Sequence, residues 1–247
     1  MQEQPLSLEP LPNQPVATAQ YTRNSSTGDA PRFIAVEGPI GVGKTTLAKK
    51  LAATFNYDVL LERAEENPFL ERFYRKDGEG ALATQLFFLF QRVQQIHDIR
   101  QADMFEPVRV ADFLIDKDRL FAETNLSSDE FDLYDKVYQQ TTIDAPSPDL
   151  VIYLQAPVDT LLQRIQQRAV EAERHIDSQY LEKLNNAYCN FFHFYDGAPL
   201  LIVNASHIDL VSNEQHYQRL LDTLLNVKSG RHYFNPSILT DANASLW

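Results

Sequence analysis

The 247-residue chain contains one cysteine, Cys189, and has no CxxC motif or Cys/His cluster. A single thiol cannot form a disulfide within the chain, and the lack of clustered soft ligands argues against structural zinc. A chain of this length buries roughly 70% of the surface that its unfolded form exposes, so it requires neither device. We therefore expect a protein of the reducing cytoplasm.

Positive charge is also scarce. Lysines and arginines number 22 against 34 aspartates and glutamates, which gives a formal net charge of −12 at pH 7. Such a balance argues against nucleic acid or an anionic membrane as the main partner. The longest obvious apolar run is Leu86–Phe90, far short of the ~20 residues of a membrane span. An acidic protein that binds phosphate must gather its few cations locally.

The first 31 residues differ from the rest of the chain. They are rich in Pro, Gln, Ser and Thr and show no periodic apolar pattern, which predicts a disordered tail over residues 1–31. The tail lacks the basic start and apolar core of a signal peptide, and Glu3 and Glu9 fit a mitochondrial presequence poorly. The chain is thus predicted to have a tail, a folded domain over 32–229 and a C-terminal extension over 230–247.

From Phe33 onward, short β-rich runs alternate with helical patterns. This alternation predicts an α/β fold, in which a parallel sheet is covered by helices on both faces. Ligands of such sheets bind at the carboxyl ends of the strands. Five strands are predicted, over residues 33–37, 58–62, 108–113, 148–154 and 200–204.

The stretch GPIGVGKT fits the phosphate-binding motif G-x-x-x-x-G-K-[ST], between a strand and a helix as the motif requires. Glycines let backbone N–H groups point inward to form an anion nest, and the following helix adds its positive end. Lys44 would reach the terminal phosphates, and Thr45 would bind Mg²⁺. We expect ATP as the ligand. The predicted ATP-binding loop comprises Gly38, Pro39, Ile40, Gly41, Val42, Gly43, Lys44, Thr45 and Thr46.

Other proteins with this loop fit less well. A signalling GTPase needs an NKxD motif, which the sequence lacks, and a motor or transporter ATPase needs a strand ending in acidic residues. Only Asp112, after VRVA, is a candidate for such a residue. The length therefore favours a kinase of small molecules.

Transfer of phosphate to a hydroxyl needs a carboxylate that takes the proton. Glu62 ends the second predicted strand, at the same edge of the sheet as the glycine loop. Glu65 and Glu66 follow in a stretch that is typical of a solvated acidic turn. Glu62 is therefore the predicted base.

The long helix that includes Leu86–Phe90 carries a polar pair. Gln85 and Arg92 are seven residues apart, so they lie on one stripe, and Phe88 lies near it. An amide suits the edge of adenine and a guanidinium that of guanine. From this helix alone, a solvated pair on an exposed face is equally compatible with the pattern.

At this point the sequence resembles the deoxyribonucleoside kinases, most closely the bacterial deoxyadenosine and deoxyguanosine kinases. The resemblance covers roughly residues 32–225 and implies a P-loop kinase fold, a lid around 164–175 and a homodimer. It also implies ATP-dependent phosphorylation of the 5′-hydroxyl of a deoxyribonucleoside, with purines favoured. The stretches that carry it are FIAVEGPIGVGKTTLAKKL, ENPFLERFY, TQLFFLFQR, DFLIDKDRLFA, PDLVIYLQAPVDTLLQRI and HIDSQYLEKL.

The resemblance also implies roles for individual residues. Glu62, Lys44 and Arg168 are implied as catalytic, and Arg164 and Arg168, four residues apart, as lid arginines that converge on one phosphate group of ATP. Within the nucleoside site, Tyr74 and Glu173 hold the 3′-hydroxyl and Phe121 stacks on the base. The full predicted nucleoside site comprises Glu62, Tyr74, Gln85, Phe88, Arg92, Asp112, Lys117, Phe121 and Glu173.

One stretch departs from the family pattern. Many members carry Glu-Arg-Ser after the third strand, where this chain has Ala111-Asp112-Phe113. Asp112 then joins Thr45 in binding the metal, directly or through water. The function of the family's arginine is either missing from this chain or supplied by another cation, Lys117 or Arg119. The residue that reads the base is one of Asp116, Lys117 and Asp118, which leaves the choice of nucleobase open.

Two other functions share parts of these patterns. A nucleoside monophosphate kinase of the thymidylate kinase type has the same loop and lid, but it needs more cations near the acceptor. A regulator that binds nucleotides without catalysis would lack the base or the lid, whereas Glu62, Lys44 and Arg168 are all present.

Overall fold

The structure, a computed structural model, describes residues 30–75, 79–102, 108–141, 146–206 and 213–235. The tail predicted over residues 1–31 lies outside these ranges except for its last two residues. Most of the extension predicted over 230–247 lies outside them as well.

One parallel sheet organises the described chain, in the strand order β2-β3-β1-β4-β5-β6. Strand β1 lies in the middle, where Ile34 is paired with Val110 on one side and with Leu150 on the other. The strands are β1 (Phe33–Glu37), β2 (Asp58–Leu60), β3 (Arg109–Ala111), β4 (Leu150–Gln155), β5 (Leu200–Asn204) and β6 (Arg231–Phe234).

The predicted parallel α/β fold is confirmed, but the predicted count of five strands is wrong. Strand β6 lies within the residues that we assigned to a C-terminal extension, and Arg231 pairs with Leu200 of β5. Its sequence, RHYF, contains one buried residue, Phe234. Because β6 is an edge strand with little buried apolar surface, it lacks the apolar run that marks the inner strands.

Two predicted strands are shorter in the structure. The strands predicted over 58–62 and 108–113 end at Leu60 and Ala111. Beyond Leu60, the N–H of Glu62 donates to the side chain of Asp112 at 2.7 Å rather than to a strand partner. The chain therefore leaves the sheet where its polar residues begin.

Helices cover both faces of the sheet, and alternate residues of the strands point to opposite faces. The helices are α1 (Lys44–Phe55), α2 (Leu70–Arg75), α3 (Ala81–Ala102), α4 (Lys117–Asn125), α5 (Ser128–Thr141), α6 (Val158–Arg168), α7 (Ser178–Phe194) and α8 (Glu214–Asn226), with short 3₁₀ helices over Ala64–Glu66 and Glu171–His175. Ile34 and Val36 pack on the side of α1, α6 and α8, whereas Ala35 packs on the side of α4 and α7. None of the described helices combines the length and hydropathy of a membrane span.

Candidate active site

The glycine loop joins β1 to α1 in a conformation that depends on two of its glycines. Gly38 has φ +149°, and a Cβ there would lie 2.5 Å from the carbonyl oxygen of Leu154. Gly41 has φ +83°, and its Cβ would lie 2.9 Å from Cγ1 of Ile165. Neither site has room for a side chain, because the loop packs tightly against its neighbours. As glycines, both residues can also adopt the positive φ angles that let the backbone curl around an anion.

The loop delivers a lysine and a hydroxyl to the carboxyl edge of the sheet. Helix α1 begins at Lys44, and no side chain caps its first turn, so its N–H groups can bind phosphate. The Nζ atom of Lys44 lies 3.3 Å from the carbonyl oxygen of Pro39. Burial, followed by the charge of Lys117, lowers the pKa of Lys44.

Thr45 and Asp112 meet beside the loop, as predicted for a metal pair. The Thr45 hydroxyl donates to Oδ2 of Asp112 at 2.5 Å, and the other carboxylate oxygen accepts from the N–H of Glu62 at 2.7 Å. A hydroxyl and a carboxylate are the oxygen ligands that Mg²⁺ prefers. The described residues contain no group of three or more His, Cys, Asp or Glu able to hold a metal. Two protein ligands fit an ion that completes its shell with water and phosphate.

Glu62 lies between two cations. Its Oε1 atom accepts a hydrogen bond from Arg92, and its Oε2 atom lies 3.6 Å from Nζ of Lys117. Burial alone would raise the pKa of this carboxyl, but the charges of Arg92, Lys117 and Lys44 lower it to about 2. Glu62 is therefore ionised at neutral pH, as a proton acceptor must be.

Arg92 connects Glu62 to a second carboxylate, Asp118. Both Arg92 and Asp118 are almost fully buried, and the guanidinium lies over the rings of Phe88 and Phe113. Nε of Arg92 and Oδ2 of Asp118 have no hydrogen-bond partner within the described residues. A donor and an acceptor left unpaired beside aromatic rings can bind the polar edge of a planar ligand.

Among the three consecutive residues 116–118, Asp116 faces a different environment from the other two. Lys117 and Asp118 line the same cavity as Glu62, whereas Asp116 lines two other cavities. Arg119, the other candidate for the missing cation, is half exposed and pairs with Glu123 at 3.2 Å. The structure therefore brings Lys117 and Asp118, but not Arg119, to the cavity.

The cavity has a volume of about 930 Å³ and lies at the carboxyl edge of the sheet. This volume is in the range of sites that enclose small ligands. It brings together every residue predicted for the nucleoside, which are Glu62, Tyr74, Gln85, Phe88, Arg92, Asp112, Lys117, Phe121 and Glu173, and it also reaches Ile40, Gly41, Lys44, Thr45, Thr46 and Arg168.

The segment predicted to form a lid contributes an ion pair to the cavity. Arg168 ends α6, and its guanidinium lies 2.5 Å from the carboxylate of Glu173 in the 3₁₀ helix that follows. Tyr74 lies in the same cavity, and burial, then the charges of Tyr180 and Glu173, raise its pKa. Tyr74 thus stays protonated and can donate a hydrogen bond.

Arg164 does not join Arg168. Its guanidinium donates to the carbonyl oxygens of Val42 at 3.2 Å and Ala205 at 2.8 Å, and it does not line the cavity. The expected convergence of the two arginines on one phosphate group is not seen. Arg164 instead connects the glycine loop to the end of β5.

Glu37, which the sequence reasoning did not single out, is fully buried at the end of β1. It lies 3.2 Å from Nζ of Lys117 and so belongs to the charged surroundings of Glu62. The signal was present in the sequence, since a glutamate that ends an otherwise apolar central strand has to find a buried partner.

Comparisons with known proteins identify the family of this chain. The chain matches the family model "Deoxynucleoside kinase" over residues 34–227. It is 37% identical over 196 residues to a deoxyguanosine kinase of Bacillus subtilis (strain 168), covering 76% of this chain and 93% of that one. It is 29% identical over 205 residues to a deoxyadenosine/deoxycytidine kinase of the same organism, covering 79% and 92%.

Solved structures are similar as well. A structure of deoxyadenosine kinase from M. mycoides with bound dATP superposes with a TM-score of 0.65 at 27% identity, and covers 77% of this chain and 99% of that one. The same enzyme with bound dCTP gives a TM-score of 0.66 at 25% identity, with the same coverage. With the family model spanning most of its length, this chain belongs to the deoxynucleoside kinase family.

Proposed function

We propose that this protein transfers the γ-phosphoryl group of ATP to the 5′-hydroxyl of a purine deoxyribonucleoside, which yields the 5′-monophosphate for nucleotide salvage. The observation that carries this proposal is the position of Glu62. Its carboxylate lies between the phosphate loop, with Lys44 and Thr45, and the buried pair of Arg92 and Asp118. A carboxylate in this position can accept a proton from a hydroxyl on one side while it faces a triphosphate on the other.

The transfer follows from these positions. Glu62 accepts the proton of the 5′-hydroxyl as its oxygen bonds to the γ-phosphorus, and the bond from that phosphorus to the β,γ-bridging oxygen breaks in line, which releases ADP. Lys44 and Arg168 stabilise the charge on the transferred group. Thr45 and Asp112 would hold Mg²⁺, which would neutralise phosphate charge. Tyr74 and Glu173 orient the sugar through its 3′-hydroxyl.

The polar edge of the cavity supports a purine. The unpaired Nε–H of Arg92 can donate to an acceptor on the edge of guanine, and the amide of Gln85 suits adenine. The unpaired Oδ2 of Asp118 can accept from an N–H group of either base. The 37% identity to a deoxyguanosine kinase of Bacillus subtilis also supports this choice.

A panel of acceptors tests the proposal directly. The four deoxynucleosides, their 5′-monophosphates and their ribonucleoside counterparts are assayed with ATP and Mg²⁺. We expect deoxyguanosine or deoxyadenosine to exceed the pyrimidines in kcat/KM by about 10-fold or more, because one good base contact is worth roughly 1–3 kcal/mol. Turnover of deoxynucleoside monophosphates alone would establish the thymidylate kinase type instead. Absence of any ATP turnover would favour the regulator.

Replacement of Asp118 is expected to weaken recognition of the base. In Asp118→Asn, a neutral amide replaces the carboxylate, so the N–H group of the nucleobase no longer faces a negative charge. We expect kcat/KM for the preferred purine to fall by about 5- to 150-fold, mostly through KM, as for loss of one base contact. The matched control is Asp116→Asn, since Asp116 does not line this cavity. An unchanged base preference in Asp118→Asn would refute the assignment.

The remaining expectations from the sequence stay proposals. We propose that the enzyme works as a homodimer in the cytoplasm, which the family resemblance supports. We also propose that the kinase domain begins at residue 32 and has a lid around 164–175, and that it includes β6, which pairs with β5.

A further inference from the structure

Glu37 is a buried carboxylate whose two oxygens are both satisfied. Oε1 accepts from the N–H of Leu114 at 2.7 Å and lies 3.2 Å from Nζ of Lys117. Oε2 accepts from the N–H of Gly38 at 3.0 Å and from the hydroxyl of Tyr188 at 3.1 Å. Such a set of donors holds the charge in one position. The carboxylate thereby joins the start of the phosphate loop, the segment before α4, and α7.

Lys117, the first residue of α4, is buried between two carboxylates. Its Nζ atom lies 3.2 Å from Glu37 and 3.6 Å from Oε2 of Glu62, and it also lies over the ring of Phe121 at 5.3 Å from the centroid. Only 3% of the residue is exposed. Because an ammonium group is costly to bury, it must stay close to these negative groups, and its position is therefore constrained.

We propose that Glu37 and Lys117 form a positioning pair that holds the carboxylate of Glu62 in place for proton transfer. The inference rests on the proposed function, in which Glu62 accepts the proton of the 5′-hydroxyl. Glu37 fixes Lys117, and Lys117 faces the Glu62 oxygen that Arg92 does not bind.

The distances from the two cations to Glu62 explain why Glu37 and Lys117 can orient this carboxylate without blocking proton transfer. The distance of 3.6 Å from Lys117 to Oε2 of Glu62 exceeds a normal hydrogen bond. The ammonium therefore attracts the carboxylate while leaving this oxygen able to accept a proton. Arg92 binds the other oxygen from the opposite end of the carboxylate. The two cations together fix the side chain along its O–O axis.

Glu37 and Lys117 also fix the position of the proton acceptor, Glu62, relative to the phosphate loop. Glu37 precedes the phosphate loop and binds the N–H of Gly38, so the same residue that anchors Lys117 anchors the loop. A shift of the pair would change the distance between Glu62 and the triphosphate. Misplacement by about 1 Å can cost on the order of 100-fold in rate.

The test compares Lys117→Met, Glu37→Gln and the double variant with the wild type. We expect Lys117→Met to lower kcat by about 100-fold while KM for ATP and for the nucleoside changes little. Glu37→Gln should lower kcat in the wild-type background and have a much smaller effect in the Lys117→Met background, because Glu37 acts on Glu62 through Lys117 and only its contact with Gly38 acts independently. A purely structural role would not produce this separation of kcat from KM.

A second variant and a control keep the test decisive. Lys117→Met leaves Glu37 buried without its cation and can fail to fold, whereas the double variant removes both charges, so thermal unfolding is measured for each. Lys183→Met is the matched control, because Lys183 also holds α4, by donating to the carbonyl of Thr124 at its other end, outside the cavity. Its kcat should match that of the wild type.

Two results would overturn the inference. One is a folded double variant with the kcat of the wild type, and the other is an equal effect of Glu37→Gln in both backgrounds. In either case the wild type still phosphorylates nucleosides and the proposed function stands. A wild type without turnover on any acceptor would instead reject the proposed function, and the inference with it.

Discussion

Glu62→Gln is expected to lower kcat by about 10²- to 10⁴-fold, the usual contribution of a positioned general base. The amide has the shape of the carboxylate but cannot take the proton of the 5′-hydroxyl. The fold should tolerate the change, since Arg92 keeps Asp118 and Lys117 keeps Glu37 as buried partners. Nucleoside affinity should remain largely intact, because the sugar and the base contact other residues.

Steady-state kinetics and calorimetric titration of the nucleoside measure the two quantities separately. Glu182→Gln serves as the control, because Glu182 is an exposed glutamate of α7 that does not line the cavity. Unchanged turnover in Glu62→Gln would remove Glu62 from the role of base. A loss of affinity equal to the loss of turnover would instead make it a binding residue.

Arg168→Met is expected to lower kcat by about 10³-fold or more, the range found for arginines that stabilise a transferred phosphoryl group. In the structure, the guanidinium of Arg168 pairs with Glu173 and is half exposed at the mouth of the cavity. When the triphosphate binds, the guanidinium of Arg168 must therefore leave the carboxylate of Glu173 and pair with the phosphate groups. Methionine keeps much of the length of the side chain but removes the charge and all the donors.

The neighbouring arginine provides the comparison. Arg174 lies in the 3₁₀ helix Glu171–His175 that follows α6, pairs with Glu171 at 2.7 Å and is more exposed than Arg168. Arg174→Met should therefore change kcat little. Equal losses in the two variants would indicate a general effect of lid charge, and full activity of Arg168→Met would exclude a direct contact with the transferred group.

The inner strands could be predicted because burial on both faces requires continuous apolar runs. Strand β5 begins and ends where the sequence predicted, at Leu200 and Asn204. Strand β6 could not be recognised, since an edge strand needs only one buried residue and its sequence is mostly polar and aromatic. The ends of β2 and β3 depend on contacts with the side chain of Asp112, which no local pattern contains.

The residues of the site likewise divide into those that a local sequence pattern predicts and those that depend on contacts between distant segments. Residues tied to a motif or to an edge of the sheet, such as Lys44 and Glu62, were predicted and share one cavity. The orientation of residues 116–118 depends on where α4 begins, and a difference of one residue rotates a side chain by about 100° around a helix. The partners of Glu37 and Arg164 come from segments distant in sequence, so only the folded chain brings them together.

The order of the strands has a consequence for synthesis on the ribosome. Strand β1 cannot pair with β2, the next strand to emerge, because its neighbours are β3 and β4. The first pair in the sheet therefore waits until the chain has been made through Ala111. Until then, the apolar strand β1 and the long helix α3 depend on transient burial or on chaperones, since delayed pairing between distant segments prolongs exposure. From β4 onward each new strand joins an edge that already exists, so growth of the sheet becomes sequential.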